Sequence, residues 1–488
     1  MKKKVIIIGA GTAGLTIANN LQDHFDVSVI EKSKYNKYPF IFNIPLLIGI
    51  LFRSNKLDYI TNKNIQLSGG RLIPLYESNL YGGSSIMNGC VHVFGFKSKW
   101  KSVLDRFNLN YDDLVSSDKK IFSFNKMKKN RITLTNAHQN IIDEAFINTL
   151  NSRSIQTDDM SYSEKESCGP IQNTTNKFFR TSVLSMIKKR RFKLFMNEKV
   201  EEILVNDKRK VIGVRTTSGR KNADYVIISS GVVGSCALLL KHNKELLLEQ
   251  QIGTGIQDHT NIRVNVLSNT KIGSLNEIYE SKVKSLLLGI KHLLGIPTVM
   301  RGTGATSAAY LDLDKDGEID TRIQILQFYE TGRHGSDKMF GNGKPGFSIS
   351  INAIHPESKG NISLVNDSLV INPNYLSAKK DMEILKLALK YCVDLLKSNP
   401  INDYVKEIID EDIIATDPEK YIKDTMYSGH HLIGGLKNSI NSNFKINNID
   451  GLYACDASVF DEFVASNIHS SVVLLADMFA KRFITQEK

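Results

Sequence analysis

Gly9, Gly11 and Gly14 have the spacing that lets a chain close on a pyrophosphate. Gly9 allows a tight turn, Gly11 brings the backbone near phosphate oxygens, and Gly14 lets a following helix pack against the preceding strand. Thr12 and Ala13 complete that turn, and the N-terminus of the helix behind them faces the phosphates. Further on, Glu31 is an acid placed to accept hydrogen bonds from an adenosine ribose. A second cluster, Tyr81-Gly82-Gly83-Ser84-Ser85-Ile86-Met87-Asn88-Gly89, permits a backbone loop close to a ligand, and Asn88 offers both donor and acceptor groups. Taken alone, this second cluster reads more readily as a polar surface turn. The chemistry these residues suit is dinucleotide binding, and they do not choose between FAD and NAD.

The elements that must position them are short. Val5 to Ile8 is a β-favouring run that leads directly into the glycine turn, Leu15 to Leu21 is helical, and Val27 to Ile30 is a second strand ending at Glu31. At 488 residues, with 41% apolar and 23% charged, the chain has an ordinary globular composition and is too long for one small core, so two domains are expected. Alternation over 322–328 and 347–351 predicts half-buried strands of a second sheet. The formal charge of +12 is scattered, which argues against a nucleic-acid groove; its densest runs, 126–131 and 188–191, read as solvated loops or helix ends. Five cysteines, odd in number and without CxxC spacing, indicate neither a disulfide framework nor a zinc site, and a reducing, cytoplasmic compartment fits. No run reaches the roughly 18 to 20 apolar residues of a bilayer span. The nearest, Phe40 to Phe52 and Ser285 to Met300, are expected to be core or pocket wall rather than membrane contact.

The motif order resembles that of the glucose–methanol–choline (GMC) oxidoreductases. The segment from Gly82 to Gly89 is similar to the family's GGSSxxNG, and the match continues from Gly95 to Trp100. Ile228 to Leu239 resembles a second signature, with Cys236 in place of a proline; Ile252 to His259 resembles VGxNLxDH, with Gly255 in place of Asn. Pro356 to Gly360 resembles the PxSRG turn, and Asn372 to Leu376 with Asp381 the entry that follows. The resemblance implies an α/β FAD-binding Rossmann-like domain plus an α+β substrate domain with an antiparallel sheet. It places the discontinuous FAD domain at 1–40, 75–105, 195–265 and 425–488, and the substrate domain and connections at 41–74, 106–194 and 266–424. It further implies FAD contacts at Val200, Gly231, Asp456, Ala457 and Asn467, beside those already named.

Tyr427 to Gly435 resembles the family's HxxGT segment and maps the catalytic base onto His431, with His430 as the rival one residue away and Gly435 standing where the family has Thr. An imidazole suits the role because its pKa lies near neutrality. Asp456 to Phe460 resembles DxSxxP, with Asp461 in place of proline, and the later segment from Ser466 places Asn467 at the second catalytic position, with His469 as its rival. The implied reaction is oxidation of an alcohol carbon of a small alcohol, sugar, polyol or biosynthetic intermediate, by hydride transfer to the flavin. The acceptor is left open among oxygen, a quinone and a protein. Met87 occupies the position where some relatives attach FAD through a histidine, so non-covalent FAD is expected. Two alternatives stay open: a lyase of the same fold that cleaves cyanohydrins without using its flavin for redox, and an FAD-binding protein without catalysis. Asp312 to Asp320 looks like the start of a calcium loop, but position 12 is Ile323, and an Asp-Gly hairpin tip is the expected reading, with no metal.

Overall fold

The computed structural model describes residues 1–48, 60–66, 71–242, 246, 251–330 and 343–488. Its first layer is a parallel sheet in the order Lys193–Phe195, Asp26–Ile30, Lys4–Ile8, Tyr225–Ile228, Leu452–Ala454. Four widely separated chain segments therefore build one sheet. The central strand is β-branched and buried from Val5 to Ile8, as a strand covered on both faces requires. Helix Thr12–Leu21 starts three residues earlier than the apolar pattern indicates, directly on Gly11 as its N-cap. It packs against the terminal helix His469–Glu487, which closes the core over Phe479 and Phe483. A three-stranded antiparallel meander, Val200–Val205, Val211–Thr216 and Gly219–Asn222, precedes the fourth parallel strand.

A second sheet is antiparallel and runs Val405–Ile408, Thr260–Ser268, Gly346–Ala353, Thr321–Leu326, Ala305–Leu311, Ser167–Pro170. Its two faces differ because side chains alternate along each strand. Ile262, Val264, Ile323, Ile325, Ile349 and Ile351 pack with helix Lys379–Leu396 into the second core. The other face carries the register row Tyr310, Arg322, Asn352, Asn261 and, one row along, Gln324, Ser350 and Arg263. This polar row turns toward the segment ahead of the terminal helix, where Tyr310 Oη lies 3.4 Å from Ser466 Oγ. The protein is thus an α/β dinucleotide-type sheet joined to an α+β unit with an antiparallel sheet.

Four expectations about peripheral features change or sharpen. The five cysteines are free and buried. Residues 312–320 form the tip between strands Ala305–Leu311 and Thr321–Leu326; the carboxylates of Asp312, Asp314 and Asp320 converge there, and Lys380 Nζ reaches Asp314 and Asp316 at 3.2 Å each. Most of the apolar run at 285–300 is not core or pocket wall: helix Lys282–Leu293 turns most of its leucines to solvent, with Leu288 and His292 anchoring it inward, and the run rejoins a core cluster only at Val299, with Met300 buried beside it. In the run from Phe40 to Phe52, Phe42 and Ile48 are buried and Phe40 is exposed, and positions 49–52 lie outside the described residues. Among the described residues no helix is long and apolar enough to cross a membrane.

Candidate active site

The glycine turn has the geometry that its residue types call for. Gly9 sits at φ +104°, where a Cβ would meet Ser229 O at 2.5 Å, and a Cβ on Gly14 would meet Gly9 O at 2.0 Å. Only glycine fits either place. A Cβ on Gly11 would meet nothing nearer than Gly83 Cα at 3.9 Å, so the backbone at Gly11 borders open space. The second cluster lies on this turn: Gly82 N–H donates to Ala10 O at 2.9 Å, which sets Gly83 beside Gly11 and Thr12. Glu31 binds its own loop, accepting from Ala10 N at 2.8 Å and Ser33 N at 2.9 Å, and Glu198 N–H donates to Glu31 O, bringing Val200 into the same neighbourhood.

FAD fits this arrangement. The cradle at Gly11 is open, and a Cβ on Gly231 would also meet nothing within 4 Å. Arg180 is buried and has no carboxylate partner among the described residues; it donates to Asn88 Oδ1 at 2.5 Å and leaves Nη2 buried without a partner. His469, the first residue of the terminal helix, also leaves Nε2 buried and unpartnered; burial first and the nearby Arg180 second push its pKa down to about 4. It is therefore not the surface cap that its position at a helix start admits. Orphaned polar atoms of this kind mark where a polar group belongs. Asp456 instead spends both oxygens on the fold, accepting from Gly231 N and Ser235 Oγ through Oδ2 and from Ser458 N through Oδ1, with Ala457 next in the turn.

Two short loops that cross between the same pair of sheets bring the histidines together. Asp258-His259 links Thr254–Gln257 to Thr260–Ser268, while 429–432 links Tyr427–Ser428 to Ile433–Gly435; Ser428 pairs with Thr260 and Ile433 with Gln257. Gly429 has no room for a side chain, since its Cβ would meet His259 Cβ at 2.9 Å. Asp258 is buried and pins the second loop: Oδ1 accepts from His431 N at 2.8 Å, and Oδ2 accepts from Ser428 Oγ and Tyr375 Oη at 2.5 Å each. The two candidates at the loop diverge. His430 adopts φ +57° and turns its ring toward Tyr76, whereas His431 faces His259 and Asn467.

One chain of hydrogen bonds runs through the site. Arg322 Nη1 donates to Asn467 Oδ1 at 2.8 Å, Asn467 Nδ2 lies 3.1 Å from His431 Nε2, His431 Nδ1 lies 2.9 Å from His259 Nδ1, and His259 Nε2 lies 2.8 Å from Ile354 O. A carbonyl only accepts and a guanidinium only donates, so both ends are fixed. Burial holds both imidazoles neutral, His259 at about 3 and His431 well below its usual range, with His259 and Arg322 adding to the effect on His431. A neutral ring has one donor and one acceptor. His259 must then carry its proton on Nε2 and His431 on Nδ1, which leaves His431 Nε2 as a free base beside the Asn467 amide. The sequence motifs point to His431 and Asn467; Asp258, Tyr375 and His259 lie within quoted motifs without assigned roles, and Arg322 appears only as a strand residue.

A family model described as GMC oxidoreductase matches residues 356–476, the stretch that contains His431 and Asn467. An oxygen-dependent choline dehydrogenase of Vibrio vulnificus is 25% identical over 97% of this chain and 93% of its own length. An alcohol dehydrogenase [acceptor] of Pseudomonas putida is 22% identical over 98% and 94%. The fold agrees with a pyridoxine 4-oxidase from Mesorbium loti (TM-score 0.83, 17% identity, all of both chains) and with a formate oxidase variant from Aspergillus oryzae (TM-score 0.88, 17% identity, 99% and 98%). The likeness to these relatives runs along nearly the whole chain, and the segment matched by the family model coincides with the histidine loop and the Asn467 turn: residues 356–476 are similar to the GMC oxidoreductases, and the chain is an FAD-dependent oxidoreductase.

Proposed function

We propose that the protein oxidises the CH–OH group of a small neutral or anionic alcohol, His431 taking the hydroxyl proton at Nε2 as hydride leaves the carbinol carbon. The one-way hydrogen-bond chain carries this reading, because it delivers an unprotonated Nε2 beside an amide donor. A substrate hydroxyl entering between Asn467 and His431 donates to Nε2 and accepts from Nδ2, so proton removal and stabilisation of the oxygen are set by the same two groups. Arg322 orients that amide and places a positive charge where negative charge develops. When bound, FAD supplies the electron sink that accepts the hydride. The contacts proposed for it are Gly9, Gly11, Thr12, Ala13 and Gly14 at the phosphates, Glu31 and Val200 at the adenosine end, and Gly82, Gly83, Ser84, Asn88, Gly89, Gly231, Asp456, Ala457 and Asn467 along the remainder. Met87 is a buried thioether with no nitrogen to alkylate, which supports non-covalent attachment.

The charge at Arg322 bears on the substrate. Arg263, on the neighbouring row of the same sheet face, is neutralised by Glu330, but Arg322 has no carboxylate partner among the described residues and its Nε is buried and unpartnered. Like charges held close in a dry site repel strongly. A quaternary-ammonium alcohol such as the choline in a relative's name therefore fits poorly. The test is anaerobic absorbance of the holoprotein during addition of choline, neutral alcohols, sugars and hydroxy acids. Bleaching by a neutral or acidic alcohol is expected, and His431→Ala should retain flavin yet bleach about 10² to 10⁴-fold more slowly. Bleaching by choline alone would overturn the charge argument, and turnover without bleaching would replace oxidation by a lyase reaction.

A further inference from the structure

Helix Lys282–Leu293 is amphipathic with its apolar side outward. Val283, Leu286, Leu287, Ile290, Leu293 and the C-cap Leu294 are between 43% and 74% exposed. At ~100° per residue they fall in a single arc of about 120°, the width of a helix face that normally meets a core. Lys282 borders one edge of that arc, and Lys284 and Lys291 border the other. The helix contains no acidic residue, the nearest being Glu280 ahead of it, and none of its three lysines has an ion-pair partner among the described residues. The inward side is held by Leu288 in an apolar cluster and by His292, which donates from Nε2 to Phe178 O at 2.7 Å. Beside this anchor, Phe179 packs edge-on against Phe40, itself 61% exposed, and exposed Lys177 lies against Gly295.

We infer that this face is an in-plane membrane anchor that docks the enzyme on an anionic phospholipid surface. Six exposed large apolar side chains on one helix face are far more than a solvated helix presents, and they imply a partner that removes them from water. The charge pattern selects that partner. Lysines on both flanks of a leucine-rich arc suit a helix lying in the headgroup layer, its apolar side sunk among acyl chains and its amines at phosphates. A protein partner or a second copy would need an acidic, apolar surface, and the net charge of +12 opposes self-association. The anchor also adjoins the cofactor side of the molecule. Helix Lys282–Leu293 leads through Val299–Arg301 to Thr303, whose hydroxyl donates to Gly89 O in the second glycine cluster.

Vesicle flotation of the full-length holoprotein tests this. Vesicles with about a third phosphatidylglycerol should carry the protein up, and pure phosphatidylcholine should carry far less. Neutralising Lys282, Lys284 and Lys291 to Gln should weaken partition by about fivefold for each lysine, and salt near ~1 M, where the Debye length is about 3 Å, should mimic that loss. The double variant L286E/L293E should bind about a hundredfold more weakly while keeping its flavin and its melting temperature, because both side chains are already exposed. Failure of the wild type to float with anionic vesicles would overturn the anchor. Flotation unaffected by L286E/L293E would do the same, as would concentration-dependent dimers that L286E/L293E abolishes while no vesicle binding occurs, since a second copy would then cover the face.

Discussion

In the proposed reaction His431 serves as the base because of what its other nitrogen does. Its Nδ1 proton is committed to His259, whose own Nε2 proton is committed to the Ile354 carbonyl, so the tautomer is fixed two residues away from the substrate. Burial also keeps the ring neutral at pH 7. For a depressed imidazole pKa the sign is clear: the base form persists as pH falls past the ordinary value near 6.5 and is lost only below it. We expect kcat/KM to stay flat from pH 8 to about 6.5 and to fall on the acid side of that value, with a pH-rate profile as the check; an acid limb centred above 7 would contradict the burial of His431. Replacing His259 by Leu removes the acceptor for Nδ1–H and frees the ring to adopt the other tautomer. A loss in kcat on the order of tenfold to a hundredfold is expected, with KM little changed and partial recovery in His259→Gln. His431 and Asn467 were legible in the sequence because they stand inside ordered motifs. Arg322 was not, because its side chain reaches Asn467 across 145 positions and strand alternation says only which face it occupies.

At the scale of elements, the departures from the family pattern become pairs of compensating contacts. Gly435 stands where a threonine is usual and Cys236 where a proline is usual; a Cβ on Gly435, at φ +100°, would meet Cys236 Sγ at 2.6 Å. Gly255 replaces an asparagine at φ +73°, a left-handed position that both residue types accept. Asp461 replaces a proline and meets Lys437 at 3.3 Å and Arg106 at 3.8 Å. Sequence reading identifies each substitution but not its partner, since Cys236 and Gly435 are remote until helix Gly231–Lys241 packs against strand Ile433–Gly435. Gly435→Thr should therefore destabilise by overpacking, typically about 1–3 kcal/mol, and by left-handed strain of about the same size. Adding Cys236→Ala should recover only the packing part. Thermal unfolding of the single and double variants checks this, and full recovery in the double variant would show that backbone conformation contributes nothing.

Across the whole molecule, the sequence reveals the parallel sheet's first strands and the turn between them, because a β-favouring run, three spaced glycines and a helix are contiguous. It does not reveal that Lys193–Phe195 and Leu452–Ala454 form the two edges, since edge strands of three residues carry too little periodicity to read. The same discontinuity makes the cofactor a structural element. The glycine turn, the 82–89 loop, Arg180, and the region from Gly231 to Asp456 and His469 border the candidate FAD site from five separate stretches of chain. A ligand that binds only when those stretches are assembled stabilises the assembly by mass action, about 4 kcal/mol when free FAD exceeds its Kd by about a thousandfold. We expect acid precipitation to release the flavin into the supernatant, as non-covalent attachment at a site with Met87 requires, and the melting temperature of flavin-stripped protein to climb with the logarithm of added FAD. Flavin retained in the pellet would contradict the first expectation. A melting temperature indifferent to FAD would contradict the second, because the orphaned Arg180 and His469 atoms would then have to be satisfied by something other than the cofactor.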